Sequence, residues 1–384
     1  MDPVKGGPCQ GIRNSIPELI KIGNTTNEVV CLDSPKSSYL GQDTFKIHAL
    51  EKGRTILAFS KKLQPWLMEN YNRFDVVIVH GLWSYHSYAA IKAIIKHKKK
   101  HSVSPKLYVM PHGMLDPYFQ KAKERRLKAL RNEVYWKIIE NKVINEADGL
   151  LFTCQEELLL AKTTFNNYRP KKELNVSYGI QEPPAYSKSM KQILFENIPD
   201  WNKKPFLLFL SRIHHKKGLD LLIKAYQILE KENIKLPQLI VAGPLKSTYA
   251  SQMKTLAESS TNILFSGMLS GKAKWAAFYE SEAFILPSHQ ENFGIAVAEA
   301  MACSKPVLIS DKVNIWREIE SGKGGMVSQD NLEGAINLLR SWNGLSLSEK
   351  SSYSKNARNT FVKNFRISSA AAKLHQTLKN GLIN

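Results

Sequence analysis

Short apolar runs alternate with amphipathic stretches along the whole chain. Residues 29–32, 45–50, 75–80, 107–110, 149–153 and 174–180 read as strands, because each is a β-branched or aromatic-rich run of strand length. Between and around them, residues 9–22, 56–70 and 84–97 carry helical periodicity. The pattern resumes after residue 204, with strands at 206–210, 238–242, 262–267, 283–286 and 305–310, and helices at 219–231 and 295–303. The chain then closes on two helical stretches, 348–364 and 368–378. Strands that alternate with helices and are apolar on both faces predict an α/β chain with doubly wound, mostly parallel sheets.

The pattern breaks once. Residues 181–204 hold Pro183, Pro184, Ser187, Ser189, Pro199, Lys203 and Lys204, the composition of a linker with little regular structure. At 384 residues the chain is long for a single core, so two domains follow: 1–180 and 205–365, with a terminal helix over 366–384.

The most informative stretch runs from Leu286 to Cys303, a strand–loop–helix unit. Its helix is apolar on every side except for Glu299. An ionised carboxylate there costs several kcal/mol, on the order of 3 or more, unless a partner satisfies it. The neighbours in sequence are Ala, Val and Met, so the partner is either a buried Lys or Arg elsewhere in the fold or the hydroxyls of a ligand. Glu291 lies eight residues earlier, in the loop ahead of the helix. Between the two carboxylates the helix N-terminus, around Asn292, Phe293 and Gly294, offers N–H groups and a positive dipole end to an anion.

Other strand ends carry chemistry too. Arg212 and Lys217 flank the loop after the strand at 206–210, where two cations can clamp a diphosphate or simply remain solvated. His80 and His112 each follow a strand, the side on which open α/β sheets bind ligands; a hydrogen-bonded structural role is the alternative. Gly6 and Gly7 precede a helix, as a turn or as a close backbone approach to a ligand.

Charge adds a preference for anions. Lys and Arg number 54 against 34 acidic residues, a net charge of +20. Nucleotide phosphates, pyrophosphate lipids and an anionic membrane surface are the partners this suggests; no nucleic-acid recognition motif accompanies it. The basic stretch Lys121, Lys123, Arg125, Arg126, Lys128 and Arg131, with Leu127 and Leu130 as a modest apolar side, suits an anionic membrane or an ordinary solvated face. Cys9, Cys31, Cys154 and Cys303 are widely spaced, which suggests reduced thiols in a cytosolic protein. The first residues form no apolar signal region, and no run nears the ~18 apolar residues of a membrane span.

The stretch Glu291-x7-Glu299, with Pro287-Ser288, Phe293-Gly294, Glu299 to Cys303, Pro306-Val307 and Ser310-Asp311, resembles the signature of family-4 retaining glycosyltransferases. Asn292 and Ser304 stand where that family more often has Gly. The resemblance covers most of the chain and is strongest over 205–325. It implies a GT-B fold, two Rossmann-like doubly wound domains facing a central cleft, with the C-terminal helix packing back on the first, acceptor-binding domain. It also implies that the usual first strand, ahead of Gly6 and Gly7, is missing from this sequence.

The implied chemistry is transfer of a hexose-type sugar, with retention, from a UDP- or GDP-sugar that serves as co-substrate without further cofactor. Glu291, His112, Arg212 and Lys217 would be catalytic. Gly6, Gly7, Met268, Leu269, Asn292, Phe293, Gly294 and Glu299 would complete the donor site, with Met268 and Leu269 at the base and Glu299 at the ribose. His80 would lie near the acceptor. Metal is not expected, since no Asp-x-Asp occurs. A lipid-linked or surface-polysaccharide precursor as acceptor, and a cytoplasmic or peripheral location at the inner face of a membrane, complete the expectation. The alternatives are a non-catalytic GT-B-like scaffold of a membrane glycan-assembly complex and, less well supported for want of Gly-x-Gly-x-x-Gly, a dinucleotide oxidoreductase.

Overall fold

The structure is a computed structural model that describes residues 1–3, 6–122 and 125–383; Lys123 of the basic stretch falls outside these. Two compact units emerge, Met1–Gly179 with Ile367–Asn384, and Ile180–Arg366.

In the second unit the described strands are β7 (Phe206–Leu210), β8 (Gln238–Ala242), β9 (Ile263–Gly267), β10 (Ala283–Leu286), β11 (Val307–Ser310) and β12 (Gly325–Ser328). (β1 to β6 belong to the first unit.) They form one parallel sheet in the order β12-β11-β10-β7-β8-β9. The chain winds outward from β7 through β8 to β9, then returns to the other side of β7 with β10. Adjacent β7 and β10 therefore define a topological switch point, where loops leave in opposite directions and a crevice opens at the strands' carboxyl ends. Both strands are almost wholly buried. Between them in sequence, the helix Leu219–Lys231 buries Leu219, Leu222, Ile223, Tyr226 and Leu229 at three- and four-residue spacing, each worth roughly 1.5–3 kcal/mol against exposure.

Residues 181–204, expected to be irregular, contain the helix Ser189–Asn197. Met190 and Leu194 are buried, and the helix packs on Gly271–Glu280 within the second unit. Its apolar stripe is short, and the flanking Pro and Ser residues obscured it.

In the first unit the helix Gly7–Gly23 precedes β1 (Glu28–Cys31) and β2 (Lys46–Ala49). β3 (Val76–His80), β4 (Lys106–Met110), β5 (Gly149–Phe152) and β6 (Glu173–Asn175) follow. The strands are parallel but form two sheets, β1-β2 and β3-β4-β5-β6, instead of the single sheet the pattern suggests. Burial marks the division: β1 is half-buried throughout and β3 over Val76–Ile78, whereas β5 is fully buried. Glu28 of β1 nonetheless ion-pairs with Arg73, just ahead of β3. The C-terminal helix Ile367–Ile383 packs against Gly7–Gly23, placing Ala371 and Leu374 in a cluster with Leu19, Tyr108 and Leu151.

One helix expectation is corrected. The stretch 56–70 is helical only over Leu63–Asn70, because Arg54 and Phe59 pair as an antiparallel bridge across a turn in which Thr55 and Ala58 take positive φ. The basic stretch is broken as well, into Tyr118–Lys121 and Arg126–Tyr135, with Ala122 extended between them.

Candidate active site

The two loops at the switch point carry the cations Arg212 and Lys217 and the carboxylate Glu291 singled out from the sequence. After β7, the chain turns through His214, whose ring accepts from the Lys216 N–H, into the turn His215–Lys217 and then Gly218. After β10, the loop from Pro287 runs alongside. The His289 N–H and the Ser288 hydroxyl both donate to the Lys216 carbonyl, at 2.8 and 2.9 Å. Gly218 has φ +67°, and a Cβ there would lie 1.8 Å from the Pro287 carbonyl oxygen, so only glycine fits. The second loop is held on its far side by the segment that follows β11: the Glu291 N–H donates to the Lys312 carbonyl and the Glu291 carbonyl accepts from the Asn314 N–H, both at 2.9 Å.

This fastening brings Lys217 and Glu291 together as an ion pair, with side-chain exposures of 10% and 22%. Burial pulls the Lys217 ammonium down to about 7, with repulsion from Lys216 and Arg212 adding to it; the Glu291 carboxylate is the counter-charge that opposes the loss of its proton. Arg212 is exposed at the mouth of the same loop. His289 is drawn the other way: its hydrogen bond to Asp330 at 2.6 Å raises its pKa.

Gly294, at φ +72°, caps the helix Ile295–Ala302, and its carbonyl accepts from Val297 and Ala298. The N–H groups of Ile295 and Ala296 lead this helix with no carbonyl four residues back to accept them. Phe293 is buried, edge-on to Phe365. Glu299 lies one turn further on, and its partner is Lys274 of the helix Gly271–Glu280, at 2.6 Å. Burial raises the Glu299 pKa and Lys274 counters it. Of the two partners left open from the sequence, the structure supplies the lysine. Lys274 was missed: it lies 25 residues away on another helix, and its sole local signal is a cation in the apolar run Ala273 to Phe278. Met268 is exposed and Leu269 buried, directly after the glycine that ends β9.

The first unit holds a separate constellation. His80 ends β3; His112 follows β4 with φ +54°. Their rings meet, His80 Nδ1 to His112 Nε2 at 3.0 Å, so the two histidines act as one group. Burial lowers both pKa values, that of His80 to about 4. Both rings are therefore neutral at pH 7, and one donates to the other. Buried Glu157 accepts from Gly113 and Thr153, bracing the loop that carries His112. Behind the His80 loop, Glu140 accepts from the Trp83 N–H and the Ser87 hydroxyl. Neither glutamate was singled out from the sequence, since each stands in an unremarkable helical context. Gly6 caps the helix Gly7–Gly23 with φ +86°, and the Gly7 carbonyl accepts from Tyr178.

Solved structures share this architecture from end to end. HepE of Anabaena, solved in complex with UDP, superposes with a TM-score of 0.73 over 99% of this chain and 97% of its own, at 16% identity. The fold is therefore GT-B, built of two Rossmann-like units. Residues 191–360 match the family described as glycosyl transferases group 1. That match covers 170 of the chain's 384 residues, all within the second unit. An uncharacterized 41.2 kDa protein in the cps region of Klebsiella pneumoniae is 23% identical over 85% of this chain and 84% of its own length. The O-antigen chain mannosyltransferase C of Escherichia coli is 28% identical, and the match spans 42% of each chain.

Proposed function

We propose that this protein is a glycosyltransferase that moves a hexose-type sugar from a UDP- or GDP-sugar to a lipid-linked or surface-polysaccharide precursor, with retention at the anomeric carbon. The observation that carries the reading is the Lys217–Glu291 pair, held by two interlocked loops at the switch point beside a glycine-capped helix N-terminus. A bound diphosphate would draw Lys217 and Arg212 to itself, freeing Glu291 for the sugar hydroxyls. The helix N–H groups beside Asn292, Phe293 and Gly294 add their dipole. Glu299, held by Lys274, accepts from the ribose hydroxyls, and Met268 and Leu269 border the base. The family resemblance further implies donor roles for Gly6, Gly7 and His112 and an acceptor role for His80, and these roles are kept in the proposal.

In the transfer, the bond between the anomeric carbon and the diphosphate oxygen breaks and a bond to the acceptor hydroxyl oxygen forms on the same face. The hydroxyl proton passes to the departing diphosphate. Arg212, Lys217 and the helix N-terminus stabilise the negative charge that develops there. The O-antigen and cps-region relatives support a surface-glycan acceptor.

The test is donor binding and slow hydrolysis with a panel of nucleotide sugars, wild type beside Glu291→Ala and Arg212→Ala. One donor bound and hydrolysed by the wild type, and lost in both variants, is the expected result. Silence of every donor would overturn the reading in favour of a non-catalytic GT-B-like scaffold.

A further inference from the structure

The helix Arg126–Tyr135 runs on through the π-turn Trp136–Glu140 into Asn141–Glu146. Its inner side is conventional: Asn132, Trp136, Glu140 and Val143 are at most 3% exposed. Its outer side is not. Leu127, Leu130, Val134 and Ile138 are 86%, 64%, 50% and 72% exposed. Spacings of three, four and four residues place them in one stripe along the helix. Arg126, Lys128, Arg131 and Lys137, all exposed, border that stripe. Among the described residues, the carboxylate beside them is Glu133, paired with Lys137 at 3.5 Å. A surface helix ordinarily turns its apolar residues inward; this one turns a second apolar side to water and fences it with cations.

We infer that this face docks the protein on an anionic lipid bilayer. The apolar stripe enters the acyl boundary, and the four cations meet the headgroup phosphates. A second copy of the chain is disfavoured as occupant, because pairing the stripe with itself would bring two sets of four cations together. Two parts of the observation select the bilayer: cations on both borders of a linear apolar stripe, and a protein of net charge +20. The association is interfacial, since no described helix is long and apolar enough to cross a membrane. The first unit also exposes Ile56, at 88%. Its turn is fixed to the body through Phe59 on Tyr85, while Trp83 joins the helix through Tyr135. The inference is independent of the donor reading.

The experiment is co-sedimentation of the full chain with vesicles of phosphatidylcholine alone or mixed with phosphatidylglycerol. The wild type should pellet with the mixed vesicles and not with phosphatidylcholine. Arg126→Gln/Lys128→Gln/Arg131→Gln/Lys137→Gln should weaken partitioning by about two to three orders of magnitude, on the scale of about fivefold for each cation. Leu127→Ser/Leu130→Ser/Val134→Ser/Ile138→Ser should also release the protein, and its nucleotide-sugar binding should match the wild type's. All eight positions are exposed, so neither variant disturbs the core. Failure of the wild type to bind anionic vesicles, or wild-type binding by both variants, would overturn the inference. So would a dimer that the serine variant converts to monomer in sedimentation velocity, since a second copy would then be the occupant.

Discussion

Replacing Glu291 by Gln keeps its shape and removes its charge. Lys217 is then left 10% exposed, with Arg212 and Lys216 as charged neighbours, both repulsive. Breaking a fully buried ion pair by removing one partner costs about 3–5 kcal/mol. Glu291 retains some water at 22% exposure, so the expected loss is smaller, about 2–3 kcal/mol. For a unit of this size that is a fall of roughly 5–10 °C in melting temperature. Lys217→Met should cost less, because the carboxylate it leaves behind is the more hydrated partner. The double variant should recover much of the loss, giving a coupling of about 1–3 kcal/mol between the positions. The pH dependence has a definite sign. In Glu291→Gln the folded-state pKa of Lys217 lies far below its unfolded value, so the unfolded chain holds more protons in between. Stability should therefore rise with pH through the neutral to alkaline range, more steeply than in the wild type. Thermal unfolding of the four proteins followed by circular dichroism makes the measurement. If Glu291→Gln melts within about 1 °C of the wild type at neutral pH, or if the two single losses add, the ion pair is not what holds these loops.

Lys274→Met removes the charge that opposes burial at Glu299, so the raised pKa of that carboxyl rises further; donor KM should increase about tenfold with kcat retained, and the defect should deepen as pH falls, read from KM at about pH 6 and pH 8. Glu140 is pushed by burial up to about 7. A carboxyl that holds its proton more tightly folded than unfolded contributes stability below its ordinary range and loses it as pH rises through the folded value. The wild type should thus lose up to about 3 kcal/mol more than Glu140→Gln between about pH 5 and pH 8, seen as converging or crossing melting curves.

The strands and their alternation with helices were legible because apolar runs of strand length have few other readings. The division of the first unit's sheet was not, since it depends on which strands hydrogen-bond and each strand looks the same alone. The helix Ser189–Asn197 was lost among the prolines and serines around it. At the site, the need of Glu299 for a partner could be read from its apolar helix, but the partner could not. Lys274 and Lys217 come from 25 and 74 residues away and share no local pattern with the carboxylates they meet. The His80–His112 contact lay between these cases. His80 is in register with Met110, two residues before His112, so the pairing of β3 with β4 brings the rings together. Knowing that those strands are neighbours would have sufficed.

The approach of Gly218 to Pro287 has a consequence for how the enzyme can change over evolutionary time. With backbone against backbone and no room for a Cβ, the two loops behave as a single heritable part. A substitution that shifts one loop is felt by the other, so its effect depends on the residues already present across the contact. Altering Glu291, the proposed sugar-binding group, without altering Lys217, the proposed phosphate-binding group, is therefore a path with few open single steps. On the proposed reading, donor preference should diverge more readily through positions outside the joined loops, Lys274 and Met268 among them, than through Lys217 or Glu291.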